Sequence, residues 1–408
     1  MCIRPASARD PFSQEDDNVS TSQPSPSLLF AMALSCGLAV ANIYYNQPML
    51  AVMANDFPGQ PALALIAMLT QLGYAAGLLL LVPLGDVVER RWLIVGQFGL
   101  IALASLLAAT ASGAISLMLA SVLLGIGATA AQQIVPVAAT LAAPSRRGAV
   151  VGSVMSGLLA GILLSRTLAG LVTAYGSWRA MFWLAVPLAL LGALLMARTI
   201  PLGLPRTTLG YGRLLRSLMG LWREEPALRR ATLIQALLFA SFSAFWTVLA
   251  FYLAEPGYGL GADVAGLFGA IGVAGVVAAP LAGRLADSLG ARPVVLGGAV
   301  LVALAWVCFE AWISLAGLAC GVILLDLGVQ SALVAHQQRI YGLRAEARGR
   351  VNTLFMTGMF LGGTLGSTLA MLAWQQGHWV GVGSVGMGLA LVACLCALAG
   401  RRPLQAAG

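Results

Sequence analysis

The chain contains the stretch Pro83-Leu84-Gly85-Asp86-Val87-Val88-Glu89-Arg90-Arg91 and a later copy of it, Gly283-Arg284-Leu285-Ala286-Asp287-Ser288-Leu289-Gly290-Ala291-Arg292. Asp86 and Asp287 are 201 residues apart, and the same shift carries Gly157 onto Gly358 and Trp178 onto Trp379. An internal repeat at a fixed shift says more about a fold than a local motif, because each copy has to form the same unit. The 408 residues are therefore interpreted as two copies of one unit.

The composition indicates that lipid surrounds most of the chain. Hydrophobic residues make up 59% and charged residues 9%, whereas soluble domains carry about 25% charged residues. Apolar runs of about 20 residues can cross the hydrocarbon core as helices, which satisfy their own backbone hydrogen bonds. Twelve such spans, numbered 1 to 12 below, are predicted at residues 28–53, 61–82, 92–111, 115–138, 148–174, 178–196, 231–254, 264–282, 293–312, 316–335, 351–374 and 380–400. The predicted fold class is an all-α membrane protein of two six-helix bundles.

The distribution of arginine predicts which side the loops face. All 23 basic residues are arginines, and all but Arg166 and Arg179 fall in the tails or in the loops on one side of the spans. Cytoplasmic loops are enriched in basic residues, so both termini are expected in the cytoplasm. The expected domains are a disordered cytoplasmic tail at 1–26, an N-terminal bundle at 27–198, a cytoplasmic linker at 199–230, a C-terminal bundle at 231–400 and a cytoplasmic tail at 401–408.

The linker has an amphipathic pattern. Its apolar positions are Leu214, Leu215, Leu218, Met219 and Trp222, interspersed with Arg213, Arg216 and Arg223. This pattern predicts a helix that lies on the inner membrane surface. A plain basic linker is the alternative.

Residues for enzymatic chemistry are scarce. The sequence has no nucleophile elbow, phosphate loop or HExxH motif, and its two histidines, His336 and His378, fall on opposite sides of the predicted membrane. The six cysteines lack metal-ligand spacing and are expected to fill apolar space. We therefore expect no enzyme activity, no cofactor and no metal. The net charge of +8 is attributed to topology and to contact with anionic lipid, and not to nucleic-acid binding.

These features resemble the major facilitator superfamily of transporters, from about residue 28 to the end of the chain. The family has a 6+6 repeat, a long central loop, and the loop signature Gly-x-Leu-Ala-Asp-Arg-x-Gly-Arg-Arg after spans 2 and 8. The second copy matches that signature at Gly283, Leu285, Ala286, Asp287, Gly290 and Arg292, and the first at Leu84, Asp86, Arg90 and Arg91. The resemblance implies that span 2 faces span 11 and that span 8 faces span 5.

The stretch Asn42-Ile43-Tyr44-Tyr45-Asn46-Gln47-Pro48 in span 1 is most similar to the bacterial branch of sugar, nucleoside and drug efflux permeases. That resemblance implies export across the bacterial inner membrane. Two positions depart from the superfamily's antiporters: Ser121 stands where span 4 often carries arginine, and Ile162 follows Gly161 where span 5 often carries proline. Both departures weaken the inference to proton antiport.

The repeated loops predict a cytoplasmic gate formed by Asp86, Arg90, Arg91, Asp287 and Arg292. A helix N-terminus carries partial positive charge and unpaired N–H donors that favour a nearby carboxylate. Spans 5 and 11 begin near Gly148 and Gly349 on the same side as the two aspartates. Each aspartate is therefore expected to hold one bundle against the other when that side is closed. The alternative is that these loops only serve topology and turn chemistry.

Polar stripes on spans 1, 4, 7 and 10 predict a substrate cavity on the axis between the bundles. Polar groups that face lipid are costly, so stripes in register between the repeats indicate a water-filled space. The alternative is hydrogen bonding between helices away from any cavity. The predicted cavity residues are Asn42, Tyr45, Asn46, Gln132, Ser243, Trp246, Thr247 and Gln330.

Two charged residues inside spans predict the coupling of protons to transport. Asp326 is the only carboxylate near the middle of a span, and Arg166 has a neutral counterpart in the other copy, Ser367. A carboxylate buried without a partner favours its protonated form, and a nearby cation favours the ionised form. Asp326 is therefore expected to carry the proton and Arg166 to oppose it. The alternatives are a structural Asp326 paired with Arg166 or Gln330, and an Arg166 that extends to the outer interface.

The interpretation is an alternating-access secondary transporter that binds a small organic molecule between the bundles. It is expected to export a sugar-, nucleoside- or drug-like molecule by proton antiport, as a monomer in contact with membrane lipid. Tyr44, Tyr45, Phe245 and Trp246 indicate an uncharged or weakly basic, partly aromatic or sugar-like ligand. A proton-linked importer and an uncoupled facilitator remain open, with a membrane-embedded enzyme as a remote alternative.

Overall fold

The computed structural model describes residues 25–59, 65–143, 146–203, 210–344 and 347–399, without the side chains of 273–279. Within these ranges the regular structure is entirely α-helical. Of the tails expected at residues 1–26 and 401–408, residues 1–24 and 401–408 lie outside the described residues, and α1 begins at Pro26.

The N-terminal bundle contains spans 1 to 6. Span 1 consists of α1 (Pro26–Ala41) and α2 (Asn46–Asp56), span 2 of α3 (Ile66–Leu84), span 3 of α4 (Arg90–Ala109), span 4 of α5 (Ala114–Ala128) and α6 (Ala130–Leu141), span 5 of α7 (Arg147–Tyr175) and span 6 of α8 (Trp178–Thr199).

The linker and the C-terminal bundle follow along the chain. The linker holds α9 (Tyr211–Glu224), span 7 is α10 (Pro226–Ala254), span 8 consists of α11 (Ala262–Ile271) and α12 (Val273–Leu289), span 9 is α13 (Ala291–Ala311) and span 10 is α14 (Leu315–Tyr341). The last element is α15 (Arg348–Leu398).

The helix α15 contains two spans. Its 51 residues would extend about 75 Å if straight, more than twice the hydrocarbon thickness. Gly377 and His378 leave the helical conformation, and His378 has a φ of 47°. The two arms fold back on each other, since a Cβ on Gly381 would lie 2.7 Å from the carbonyl oxygen of Ala373. With ten segments in the described residues long and apolar enough to cross a membrane, this reversal and the two-helix span 8 are compatible with twelve crossings.

Span 1 is interrupted between α1 and α2. Pro48 has no N–H and cannot donate to the carbonyl of Tyr44, so the α-helical ladder cannot continue through this point. The backbone N–H groups of Ile43 and Tyr44 instead reach the carbonyls of Val40 and Ala41, three residues back, at 3.1 and 3.0 Å. At the equivalent position span 7 has Leu249 in place of proline, and α10 is continuous over 29 residues.

The linker helix α9 packs part of its apolar face on the protein. Leu214, Leu218 and Leu221 are buried, whereas Met219 is exposed. The hydroxyl of Tyr211 donates to the carbonyl of Leu80 at 2.9 Å, which attaches the start of α9 to span 2. Contact of the exposed side with lipid stays a prediction.

The two bundles contact each other through spans 5 and 8 and through spans 2 and 11, the pairings that the resemblance implies. On the first side α7 packs on α11 so closely that a Cβ on Gly266 would lie 3.0 Å from the Cα of Gly170. On the second side the rings of Tyr74 and Phe360 have centroids 4.3 Å apart. The half-span α2 also packs against α10 and α11. These contacts lie in the middle of the molecule or in the half away from Asp86 and Asp287.

We call the face that carries the loops at Asp86 and Asp287 the loop face. Gln132, Gln330 and Gln337, on the parts of spans 4 and 10 nearer this face, are partly exposed. A cavity of about 200 Å³ is lined by Asp86 and Gln132 of the first bundle and by residues 349, 350 and 353 of the second. The bundles are therefore packed together away from the loop face and leave a cleft towards it.

Candidate functional site

Arg166 occupies the contact between the two bundles. Its side chain is 3% exposed, and its Nε donates to Oε1 of Gln47 at 2.7 Å. The guanidinium carbon lies 4.5 Å from the ring centroid of Tyr44 and 4.1 Å from that of Trp246. Its Nη2 is buried without a hydrogen-bond partner. The cation is thus buried in the protein and enclosed by an aromatic ring from each bundle.

Glycines of span 8 make room for this arginine. A Cβ on Gly269 would lie 2.7 Å from the Cβ of Arg166, and one on Gly266 would lie 2.6 Å from its backbone oxygen. Real Cβ atoms do not approach other atoms so closely, so a side chain at either position would displace span 5. The glycines therefore let the backbone of span 8 pass directly beside Arg166.

Asp326 lies at the same junction and faces the next turn of span 8. It is 7% exposed, and a Cβ on Gly272 would lie 3.4 Å from its Oδ2. This oxygen is buried without a hydrogen-bond partner. Asp326 and Arg166 are both fully described and form no ion pair within 4.0 Å. The pairing considered from the sequence is therefore open in this conformation.

A neutral network connects the bundles on the side of spans 2 and 11. Gln71 of α3 donates through Nε2 to the hydroxyl of Ser367 at 3.2 Å, and Thr247 of α10 donates to the same hydroxyl at 2.9 Å. Ser243 donates to Oε1 of Gln71 at 3.4 Å. The predicted cavity residues Ser243 and Thr247 are thus part of a polar contact between three spans.

The predicted residues of span 1 divide between two environments. Asn42 donates to the carbonyl of Leu38 at 2.8 Å, and Asn46 donates to the hydroxyl of Thr70 at 2.9 Å, so both bond within their own bundle. Each leaves its Oδ1 buried without a partner. Tyr45 is buried.

The residues of span 1 that meet Arg166 are Tyr44 and Gln47. Gln47 was absent from the predicted site, because its counterpart in the other copy is the apolar Val248 and a search for paired polar positions cannot find it. Its spacing of three residues from Tyr44 was the available signal, since such positions share a helix face.

Gln132 and Gln330 lie apart from this junction. Gln132 lines the cavity of about 200 Å³ at the loop face, and Gln330 of α14 is partly exposed. Both amides face more open space than the buried residues around Arg166. The eight predicted cavity residues thus occupy the central contacts, the interior of the first bundle and the cleft.

The charged residues of the predicted gate bond within their own bundles. Arg90 donates through Nη2 to Asp86 at 2.6 Å, and Arg292 donates to the carbonyl of Leu398 at 2.9 Å. Arg91 stacks beside Trp92. Asp287 lines a cavity of about 840 Å³ formed by residues of the C-terminal bundle alone. The gate proposed for the closed loop face is not assembled in this conformation and stays a prediction.

Ion pairs near the ends of the helices attach the linker to the C-terminal bundle and join two spans on the face opposite the loop face. Arg344 bonds Glu225 at 2.8 Å and Glu224 at 2.9 Å, and the hydrogen bond to Glu225 raises the pKa of Arg344. Asp56, at the end of α2, accepts from Arg179 and from the indole of Trp178, both at 2.7 Å. Arg179, near the start of α8, therefore ties span 6 to span 1.

Comparisons with known proteins agree with this architecture. The model of the Major Facilitator Superfamily matches residues 32–334 and 231–407. The chain is 42% identical over 372 residues to YgaY of Escherichia coli O157:H7, an uncharacterized transporter, which covers 90% of this chain and 94% of that protein. It is 36% identical over 360 residues to SCO4007 of Streptomyces coelicolor, named a probable transporter, over 87% of this chain and 83% of that protein.

Solved structures share the fold at low sequence identity. The peptide transporter POT in complex with sulfate has a TM-score of 0.75 at 15% identity, over 93% of this chain and 96% of that chain. The human organic anion transporter MFSD10 (TETRAN) has a TM-score of 0.67 at 17% identity, over 91% of this chain and 100% of that chain. The predicted all-α fold and family are confirmed. With its apolar spans, its paired bundles and these relatives, the chain belongs to the major facilitator superfamily and is a multi-pass membrane transporter.

Proposed function

We propose that this transporter exports a small organic molecule across the bacterial inner membrane in exchange for protons. The loop face is cytoplasmic in this proposal, because it carries nearly all the arginines. The cleft at the loop face would then be the entrance for a substrate that arrives from inside the cell. The chain acts as a monomer in contact with membrane lipid.

The observation that carries the proposal is the separation of Arg166 and Asp326. Both are buried where the bundles meet, and each keeps one polar atom without a partner. A buried charge without a partner is costly, so such residues inside a membrane usually serve transport. Asp326 can lower this cost by taking a proton, and an approach of Arg166 would favour its release. A movement of the bundles that changes their distance would therefore couple proton binding to the conformation.

The contacts between the bundles support an alternating-access cycle. Closing the cleft would bring Asp86 and Asp287 towards the N-termini of spans 11 and 5, and would separate the contacts made by Arg166 and Gln71 away from the loop face. The substrate would bind between these two sets of contacts, near the predicted cavity residues. Gln132 and Gln330, which are partly exposed, would meet it first.

The test is transport by purified protein in proteoliposomes with an imposed pH gradient, scored on a panel of small organic molecules. The wild-type protein should move its substrate in the direction opposite to the protons and accumulate it on the side that the protons leave. Asp326→Asn resembles the protonated form, so it should lose accumulation and retain exchange of substrate down its own gradient. Glu310→Gln, which removes a carboxylate from span 9, is the matched control and should accumulate substrate normally.

The other outcomes identify the alternatives. Unchanged accumulation in Asp326→Asn would remove the proton role of Asp326. Accumulation in the same direction as the protons indicates a proton-linked importer, and equilibration without accumulation indicates a facilitator.

A further inference from the structure

Among the residues that the structure describes, buried polar atoms of span 5, span 7 and span 10 at the junction of the bundles lack hydrogen-bond partners. They are Nη2 of Arg166, Nε1 of Trp246 and Oδ2 of Asp326. Two of them are donors and one is an acceptor. Buried polar atoms are almost always paired in folded proteins, so three of them around one junction indicate groups that a ligand completes.

The two donors are neighbours. The guanidinium carbon of Arg166 lies 4.1 Å from the centroid of the Trp246 ring. The rings of Tyr44 and Trp246 pack beside the guanidinium, and its Nε is occupied by the neutral oxygen of Gln47. The Nη2 edge is therefore the part of the cation left for a further partner. A carboxylate suits it, because it carries the opposite charge and accepts several N–H donors.

The acceptor, Oδ2 of Asp326, requires a hydrogen-bond donor. Asp326 is buried beside Gly272, and its Oδ2 has no hydrogen-bond partner within the described part of the chain. Within the described spans it faces the same junction as Arg166 without forming an ion pair with it. An ammonium group is the natural complement of this oxygen, since it brings positive charge and three donors.

We propose that the substrate is a zwitterion, an α-amino acid or a short peptide, whose carboxylate binds Arg166 and Trp246 and whose ammonium binds Asp326. The assignment rests on the proposed function, because the ammonium and the transported proton then compete for one carboxylate. Occupation of Asp326 by only one of them at a time is what exchange requires.

Aromatic side chains near the junction indicate an apolar body for this zwitterion. The ring of Phe242 lies 6.0 Å from the guanidinium carbon of Arg166 and stacks on Phe239 at 5.4 Å. Phe239 continues to Phe360, and Phe360 to Tyr74 of the other bundle. A side chain such as that of phenylalanine or leucine would find apolar surface beside the charged groups.

The experiment measures equilibrium binding to the purified full chain in detergent, by the shift of the unfolding temperature and by calorimetric titration. The probes are phenylalanine and leucine, phenylalanine methyl ester, which keeps only the ammonium, and N-acetylphenylalanine, which keeps only the carboxylate. The free amino acids should bind and raise the unfolding temperature, and each blocked compound should bind at least about tenfold more weakly, the loss expected for one charged hydrogen bond.

Variants assign the two ends of the ligand. Arg166→Gln should reduce affinity for phenylalanine about tenfold or more and remove the preference over the methyl ester. Asp326→Asn should remove the preference over N-acetylphenylalanine. Arg166→Lys, which retains the charge, is the second variant if Arg166→Gln fails to fold, and it should retain the preference for a carboxylate. Arg339→Gln, on the same helix as Asp326, is the control and should bind as wild type does.

Failure of this assignment is distinguishable from failure of proton exchange, because binding needs no gradient. Equal binding of the blocked and free compounds, or no binding of either amino acid, overturns the zwitterion assignment even if another molecule is exchanged for protons. Selective binding of the free amino acids without accumulation driven by a pH gradient supports the zwitterion site and overturns the proton exchange.

Discussion

Two contacts between the bundles occupy equivalent positions of the repeat and are built differently. The charged interface combines Arg166 of span 5 with Gly272 of span 8, and the neutral interface combines Ser367 of span 11 with Gln71 of span 2. Arg166 corresponds to Ser367, and Gln71 to Gly272, at the shift of 201 residues. The larger side chain thus comes from span 5 in one interface and from span 2 in the other. Each interface therefore combines one large and one small residue, but only one of the two interfaces carries a charge.

The neutral interface satisfies its polar groups and the charged interface does not. Gln71 and Ser367 bond each other and also reach span 7, whereas Arg166 leaves Nη2 without a partner. The repeat shows that a neutral amide and a hydroxyl can join two spans at this depth. Packing therefore does not require the arginine, which supports the proposal that the charged interface takes part in transport.

The largest effect is expected when the residues of one interface are copied onto the other. The double variant Arg166→Ser, Gly272→Gln gives the charged interface the residues of the neutral one. It should fold, because the same two residue types join spans 2 and 11 at the equivalent positions, and transport driven by a pH gradient should fall to background. Gel filtration and accumulation in proteoliposomes check the two parts, and normal accumulation would show that Arg166 is dispensable.

A substitution in the glycine lining should destabilise only the charged interface. A Cβ on Gly266 would lie 2.6 Å from the backbone oxygen of Arg166, so Gly266→Ala should lower the free energy of unfolding by about 1–3 kcal/mol. Gly297 of span 9 has open space around it, and Gly297→Ala is the control, which should be neutral or stabilising by up to about 1 kcal/mol. Unfolding curves in detergent measure both. Equal stabilities would mean that span 5 yields freely at this contact.

The repeat made much of this comparison predictable, because apolar length specifies spans and the constant shift pairs their residues. Arg166 and Asp326 were identified since charge is rare inside a membrane. Gln47 was missed because its counterpart is apolar, and the aromatic enclosure was missed because it combines rings from two spans distant in sequence. Asn42 and Asn46 flank the interruption of span 1 and bond inside their own bundle, an outcome that regular helical periodicity cannot predict.

Substitutions of the gate residues should change the transport rate more than ligand affinity, because these residues lie at the loop face and away from Arg166. In this conformation Asp86 is bonded to Arg90 at the half-exposed surface, so Asp86→Asn and Asp287→Asn should preserve folding and ligand affinity. Together they should slow transport several-fold by weakening the closed state of the loop face. In the double variant, cysteines introduced near the loop-face ends of spans 4 and 10 should become more accessible. Transport at the wild-type rate in the double variant would rule out the proposed gate.

The smallest effect is expected at the neutral interface. Gln71→Leu removes the bonds to Ser367 and Ser243 and should lower stability by about 0.6–1.7 kcal/mol, the range for hydrogen bonds between membrane helices. Accumulation should stay near wild type, because no charge is involved. If Gln71→Leu reduced accumulation as much as the double variant does, the neutral interface would be as important for transport as the charged one.

The interruption of span 1 gives the two halves unequal stiffness. Bending span 1 between Ala41 and Asn46 disrupts few backbone bonds, because its ladder is already incomplete there and Pro48 supplies no donor. Bending span 7 at the equivalent point would break an intact ladder. When the bundles move relative to each other, span 1 should therefore bend at its interruption, so that α2 changes its tilt, while span 7 moves as a rigid helix. Gln47 belongs to α2, so the same bend would withdraw its oxygen from Arg166. The Nε of the cation would then be free when the face opposite the loop face opens.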